Sequence, residues 1–438
     1  MSYQPPQTLW EVSDQLRYDE PLEADDPRFV ETELARGATY NSNLLRHLGV
    51  EPNSLVLKKA RSDCYTLYCG HRGSGKSTEL RRLTKKLHGA EKYWVVFLDV
   101  VRELDTNNLQ VADVLLTLAR QLLKRLEDEQ INLDQVFLTR LENWFKERIE
   151  SHAATKEFAS DVQAGASAKS GIPFIGELFA AITNSFKVNS THKEELRRII
   201  KNSFTEFADS FNLLIEAAET ELKKQGKGQK LIFIIDGTDR LDGADSRRFF
   251  LTDVHQLQLI RSNFVYCAPI YLTHEGSQIH QSFSLVFRLP MIKLSEKQSA
   301  SPIDQGYSTM RKIIYRRADR HLFDLETTVD YLIQYSGGHP RDLLRLLNYA
   351  FQLAEGELFN QDAAEKAVKK LATEYRRILE AQDYSLLREV DRAPPERAQN
   401  SEETRKLLFN LALLEYDDYW WQSHPAIRTL PDYQATSD

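Results

Sequence analysis

Cysteine is scarce in this chain. Cys64, Cys69 and Cys267 are the only three in 438 residues, and all lie on runs that read as buried strands, which suits a reducing cytoplasm better than a disulfide framework. No His or Cys pair stands at ligand spacing, so no structural metal is expected. No apolar run is long enough to cross a bilayer, and Met1-Ser-Tyr-Gln-Pro-Pro-Gln lacks the basic and apolar regions of a secretory leader; a cytoplasmic protein is expected. Positive charge is not in excess either. With 57 Lys and Arg against 64 Asp and Glu the net charge is −7, which removes the whole-chain footprint of a dedicated nucleic-acid binder but leaves room for a local basic patch.

What the chain does have is Tyr65-Thr-Leu-Tyr-Cys-Gly70-His71-Arg72-Gly73-Ser74-Gly75-Lys76-Ser77-Thr78. Gly70, Gly75, Lys76 and Ser77 match G-x-x-x-x-G-K-[ST], between an apolar β-prone run and a helical one, the context this phosphate-binding pattern requires. Gly70, Gly73 and Gly75 let the chain turn with backbone N–H groups inward, and the positive end of the following helix adds to that field. ATP is the expected ligand of the run 70–78, with Lys76 on the β- and γ-phosphates and Ser77 a ligand of Mg²⁺. Thr78 closes the run as a neighbour rather than a metal ligand.

The surrounding chain reads as α/β. Residues 1–60 form an irregular, proline-bearing arm with a short helix over 42–48; the arm either lies against an adenine or is packing filler. Apolar runs at 64–69, 93–99, 231–235, 264–272 and 285–289, separated by helical or long connections, predict a parallel sheet covered on both faces. The core spans 61–300, with a helical insertion at about 107–228. Val111, Val114, Leu115, Leu118, Leu122 and Leu126 recur at helical spacing and predict a helix packed on the core. Residues 153–187, rich in Ala, Ser and Gly and then apolar, read as a mobile insertion or a surface for a membrane or partner. Thr191 and Glu194 fit a capping box opening a helix over 193–214.

The run Lys230-Leu-Ile-Phe-Ile-Ile-Asp236-Gly-Thr-Asp239 supplies the acidic counterpart. Asp236, at the carboxyl end of a buried strand, is placed to hold Mg²⁺ with Ser77, or is a simple turn carboxylate. Asp239 is the next carboxylate available to orient or deprotonate an attacking water, with a helix cap or salt bridge as the alternative.

Together these motifs resemble the P-loop class that includes the AAA+ and STAND ATPases, from about residue 28 to the C-terminus. The resemblance implies a P-loop core with a parallel sheet, a helical lid at 301–385 and a winged-helix-like module at 386–438. Gly237 stands where AAA+ enzymes usually carry Glu, closer to the slow STAND switches, so turnover is expected to be low. In Ser336-Gly-Gly-His-Pro340-Arg341-Asp-Leu-Leu, two glycines break a helix and Pro340 starts the next. By resemblance Pro340 touches the adenine and Arg341 the γ-phosphate, making Lys76, Asp236, Asp239 and Arg341 the catalytic set. Thr273 is a candidate γ-phosphate sensor at the end of the fourth strand. Lys312, Arg316 and Arg320 read as one helical stripe, solvated, facing nucleic acid or acting on a neighbouring subunit. A helix over 402–414 and the aromatic stretch after it look like the last helix and wing of a winged helix. That module is too acidic to favour DNA.

The implied function is a Mg²⁺-dependent ATPase switch that controls an effector or regulatory partner, as in prokaryotic defence-type systems, with homo-oligomerisation open. The alternatives are a DNA-associated loader or transposition regulator and a nucleotide-binding scaffold with little hydrolysis.

Overall fold

The computed structural model describes residues 3–37, 40–61, 63–150, 190–297, 299, 301–394, 397, 400–416 and 420–435. Its centre is a parallel sheet of β1 (Cys64–Gly70), β2 (Tyr93–Asp99), β3 (Lys230–Asp236), β4 (Asn263–Pro269) and β5 (Leu285–Arg288), in the order β2-β3-β4-β1-β5. Side chains alternate between two apolar layers: Tyr65, Leu67, Cys69, Leu231, Phe233 and Ile235 enter one, and Cys64, Tyr68, Ile232 and Ile234 the other. Burial on both faces is why these strands are continuously apolar. All three cysteines are buried and free.

The fourth strand is shorter than the predicted 264–272. It ends at Pro269, and Ile270–His274 forms a tight 3₁₀ turn. Ile270 and Leu272 are buried in that turn, so the apolar run outlasts the strand.

The arm is anchored at both ends. Helix α1 (Leu9–Gln15) sends Leu9 and Val12 into the apolar cluster of residues 310–430, and Trp10 meets Phe351 edge-on at 5.4 Å. Further on, the predicted short helix is Tyr40–His47. Helix α2 (Lys76–Leu87) follows the glycine-rich loop. The insertion contributes α3 (Val111–Asp128), α4 (Gln135–Glu150), α5 (Ser190–Asn202) and α6 (Phe204–Lys224). All six apolar positions expected on α3 are buried. Arg197 of α5 donates from Nε to Asp113 of α3 at 2.9 Å, tying the two together. Helix α5 begins at Ser190, so Thr191 lies inside it and not at its cap, and the expected 193–214 helix is two helices broken at Ser203. The expected mobile segment 153–187 lies outside the described residues. Among the described residues, no helix is long and apolar enough to cross a membrane.

Residues 304–409 are largely helical: α7 (Asp304–Tyr315), α8 (Glu326–Ser336), α9 (Pro340–Leu353), α10 (Gln361–Arg376), α11 (Ala381–Arg392) and α12 (Glu402–Phe409). Gly337 ends α8 in a left-handed conformation, φ 61°, and Pro340 opens α9, as the two glycines and the proline predict. Helix α12 stops at Phe409, short of the expected 414; Leu411 turns the chain with φ 61°, and Leu413 and Leu414 enter a strand. That strand, β6 (Leu413–Tyr416), pairs antiparallel with β7 (Trp420–Ser423). Leu407, Leu413, Trp421 and Ile427 share the cluster of Met310, Leu332 and Leu346, so the C-terminal hairpin and the preceding helices form one packed body.

Candidate functional site

The loop leaving β1 takes its shape from two glycines in a region closed to other residues, Gly73 at φ 90° and Gly75 at φ 102°. Ser74 N–H closes a turn on His71 O at 3.1 Å. Helix α2 starts at Lys76, directing its free N–H groups at whatever lies above the loop.

Lys76 is almost fully buried. Its ammonium donates to Gly70 O and His71 O, each at 2.9 Å, and pairs with Asp239 Oδ2 at 2.7 Å. Burial pushes the Asp239 carboxyl up, but Lys76, helped by Arg240 and Arg72, outweighs it and holds it below its ordinary value. The same pairing raises Lys76 against its own burial. Beside them Ser77 Oγ donates to Asp236 Oδ1 at 2.8 Å, which also accepts from Gly237 N–H at 2.9 Å. Burial, and then the charge of Asp239, push the Asp236 carboxyl up to about 6, with the Ser77 bond opposing.

The position after Asp236 is closed to a larger residue. Gly237 has φ 88°, and a Cβ there would lie 2.8 Å from Val101 Cγ2. A Glu in the usual AAA+ place would need Val101 to move.

Three neighbouring loop residues are gripped by the C-terminal half. His71 Nε2 accepts from Glu415 N–H of β6 at 2.8 Å, and burial pulls the His71 imidazole well down. His339, the N-cap of α9, donates from Nε2 to Arg72 O at 2.9 Å. Arg341 N–H reaches Gly73 O at 3.4 Å. A Cβ on Gly73 would come within 2.8 Å of Arg341 Cβ and 2.9 Å of the His339 ring. Arg341 Nε is buried without a hydrogen-bond partner; burial, then the nearby Arg72 charge, pull its guanidinium down.

A cavity opens between this loop, the α9 N-terminus and the arm. It is lined by residues 72–79, Asp239, Arg240, Ile313, Arg317, Pro340, Arg341 and Leu344, with residues 17–22, 28–30, Thr32 and Arg36 of the arm. Leu22 N–H donates to Thr78 Oγ1 at 3.1 Å, strapping the arm to α2. Basic side chains outnumber acidic ones in the lining, eight to four, and Ser74 Oγ is buried without a partner. An electropositive wall with orphaned donors, beside an apolar end at Phe29, Val30, Ile313 and Leu344, fits a nucleoside polyphosphate. Ser77 and Asp236 are the pair suited to Mg²⁺.

The structure therefore brings Arg72–Thr78, Asp239, Pro340 and Arg341 to one cavity. Gly70, His71 and Asp236 stand beneath it and do not line it. Thr273 is not part of it: its hydroxyl donates to Ile270 O at 2.8 Å within the 3₁₀ turn. Nor is the basic stripe continuous, because α7 ends at Tyr315. Arg320 pairs with Glu326 at 2.8 Å, and neighbouring Arg311 with Asp330 at 2.6 Å. The cation that does reach the cavity is Arg317, one residue off the stripe; it donates to Ile313 O at 2.9 Å, and burial pulls it down to about 10. Where the helix ended would have been the only sequence signal for it.

The family model described as the KAP family P-loop domain matches residues 67–254, which supports a nucleotide-binding P-loop domain over that segment. No curated protein matches the chain. Among solved structures, the Thermotoga maritima RuvB Holliday junction branch migration motor matches at 12% identity and a TM-score of 0.37, over 96% of this chain and 100% of that one. A substituted form of the same Thermotoga maritima protein matches at 11% and 0.35 over the same shares. Likeness at that level carries no argument about this chain.

Proposed function

We propose that the chain is an ATP-binding, slowly hydrolysing switch whose lid and C-terminal module answer to the nucleotide and control a partner protein. The observation that carries this reading is Arg341: a half-buried guanidinium, its Nε buried without a hydrogen-bond partner, brought by the α9 N-terminus to a loop that already holds Lys76. A half-buried cation at the positive end of a helix is unfavourable by itself and calls for an anion.

In this reading the triphosphate takes Lys76 from Asp239. Ser77 and Asp236 hold Mg²⁺, which neutralises charge on the β- and γ-phosphate oxygens. Asp239, released from Lys76, becomes the carboxylate free to orient the attacking water or take its proton. The glycine at 237, where a Cβ would press on Val101, leaves no carboxylate directly after Asp236, which supports low turnover. The bond from Glu415 to His71 supports a protein-contacting or autoinhibitory role for the winged-helix-like module. Pairing of Arg311 and Arg320 with carboxylates weakens the DNA-loader alternative.

The test is ATP turnover and oligomeric mass with and without MgATP and duplex DNA, for wild type and Arg341→Ala. A charge-assisted contact is worth about 1.5–3 kcal/mol, so Arg341→Ala is expected to weaken ATP by about tenfold or more and leave ADP nearly unchanged. Equal loss for both nucleotides would remove Arg341 as the γ-phosphate reporter. Strong stimulation by DNA would favour the loader, and wild type that binds no ATP would remove both readings.

A further inference from the structure

We infer that His339 is the positioning residue of the phosphate loop, orienting the Arg72–Gly73 peptide so that the loop can take phosphate; this rests on the nucleotide-binding reading above. His339 is completely buried, and both ring nitrogens are used. Nε2 donates to Arg72 O at 2.9 Å, and Nδ1 accepts from Asp342 N–H at 3.2 Å. Because a carbonyl only accepts, Nε2 carries the proton of that bond, and Nδ1 also lies 3.2 Å from Asp342 Oδ2.

Histidine is an unusual N-cap. Ser, Thr, Asp and Asn are preferred there because a short side chain with an acceptor is all that the helix needs. Aspartate at 339 would satisfy α9 but has no donor for Arg72 O, and serine is too short to span cap and loop at once. The residue type therefore answers to the loop as well as to the helix.

The consequence for the loop follows from peptide geometry. In a trans peptide the C=O and the following N–H point in opposite directions. Holding Arg72 O against the His339 ring fixes the plane of that peptide and turns Gly73 N–H away from the ring. Gly73 permits the approach, since a Cβ there would lie 2.9 Å from the His339 ring. Asp342 braces the cap from behind. Its fully buried carboxylate accepts from Tyr375 Oη at 3.0 Å and Arg345 at 2.8 Å, and His424 Nε2 of the C-terminal body lies 3.2 Å away.

The experiment uses the full chain with His339→Ala and His339→Gln, the glutamine amide offering one donor and one acceptor. Hydrogen exchange of segment 70–78 is followed without nucleotide, and MgATP and MgADP affinities and steady-state turnover are measured alongside. His339→Ala is expected to speed exchange of the segment and to weaken ATP and ADP alike by about five- to tenfold, raising KM with kcat little changed. His339→Gln is expected to recover most of both. Unchanged exchange in His339→Ala, or no recovery in His339→Gln, overturns the assignment. If wild type binds no nucleotide the functional reading fails, and the exchange result still decides the positioning role by itself.

Discussion

Lys76→Ala is expected to abolish measurable MgATP binding and, in the same step, to lower the unfolding free energy by about 3 kcal/mol. Both effects come from one ammonium. On the binding side, the proposed function makes Lys76 the point charge that bridges the phosphates, so its loss removes a charge-assisted contact. On the stability side, Lys76 and Asp239 are 3% and 11% exposed and 2.7 Å apart. Removing one partner of a buried pair strands the other, which costs about 3–5 kcal/mol; the lower end applies here because Arg240 and Arg72 also act on Asp239. Adding Asp239→Asn in the Lys76→Ala background removes the stranded charge, so stability should return by about 2 kcal/mol while binding stays absent. Asp239→Asn alone should tighten ATP severalfold, since phosphate no longer displaces a carboxylate from Lys76, and should slow turnover. Chemical unfolding and nucleotide titration on the four proteins check this. If the double variant is no more stable than Lys76→Ala, the pair does not hold the loop together.

The parts legible in the sequence are those where one local pattern has one physical meaning. The glycine spacing before Lys76, the apolar run ending in Asp236 and the Gly-Gly-His-Pro break each specify a backbone event within a few residues, and the structure has all three. The misreadings occur where a pattern serves two structures. Ile270 and Leu272 are buried whether they continue a strand or close a 3₁₀ turn, and Leu413 and Leu414 continue the apolar spacing of α12 although Leu411 has already turned the chain. The stripe Lys312, Arg316, Arg320 assumed a helix that ends at Tyr315, which is why Arg317 was missed. Contacts such as Glu415 with His71 join residues 344 positions apart; no local pattern encodes them.

The second large effect separates the two positive-φ glycines of the loop. Gly73→Ala and Gly75→Ala place a methyl on backbones of nearly equal strain, φ 90° and φ 102°, and each should cost about 1–2 kcal/mol for that alone. Their surroundings differ. The Gly73 methyl meets Arg341 Cβ at 2.8 Å and the His339 ring at 2.9 Å, whereas the Gly75 methyl meets only Arg36 Nη2, at 3.7 Å. Overpacking adds about 1–3 kcal/mol when neighbours must shift, and neither neighbour is the free end of a flexible chain: one is a Cβ on the first turn of α9, the other a ring fixed by two hydrogen bonds. Gly73→Ala should therefore be less stable than Gly75→Ala by about 2 kcal/mol. The excess should disappear in a Gly73→Ala, His339→Ala, Arg341→Gly background, where the methyl has room. Both single variants should lose nucleotide affinity, because both disturb N–H groups of the loop, so stability is the measurement that discriminates. Equal destabilisation of the two would mean that the α9 N-terminus does not press on Gly73 in solution, and with it the proposed coupling between α9 and the phosphate loop would lose its physical basis.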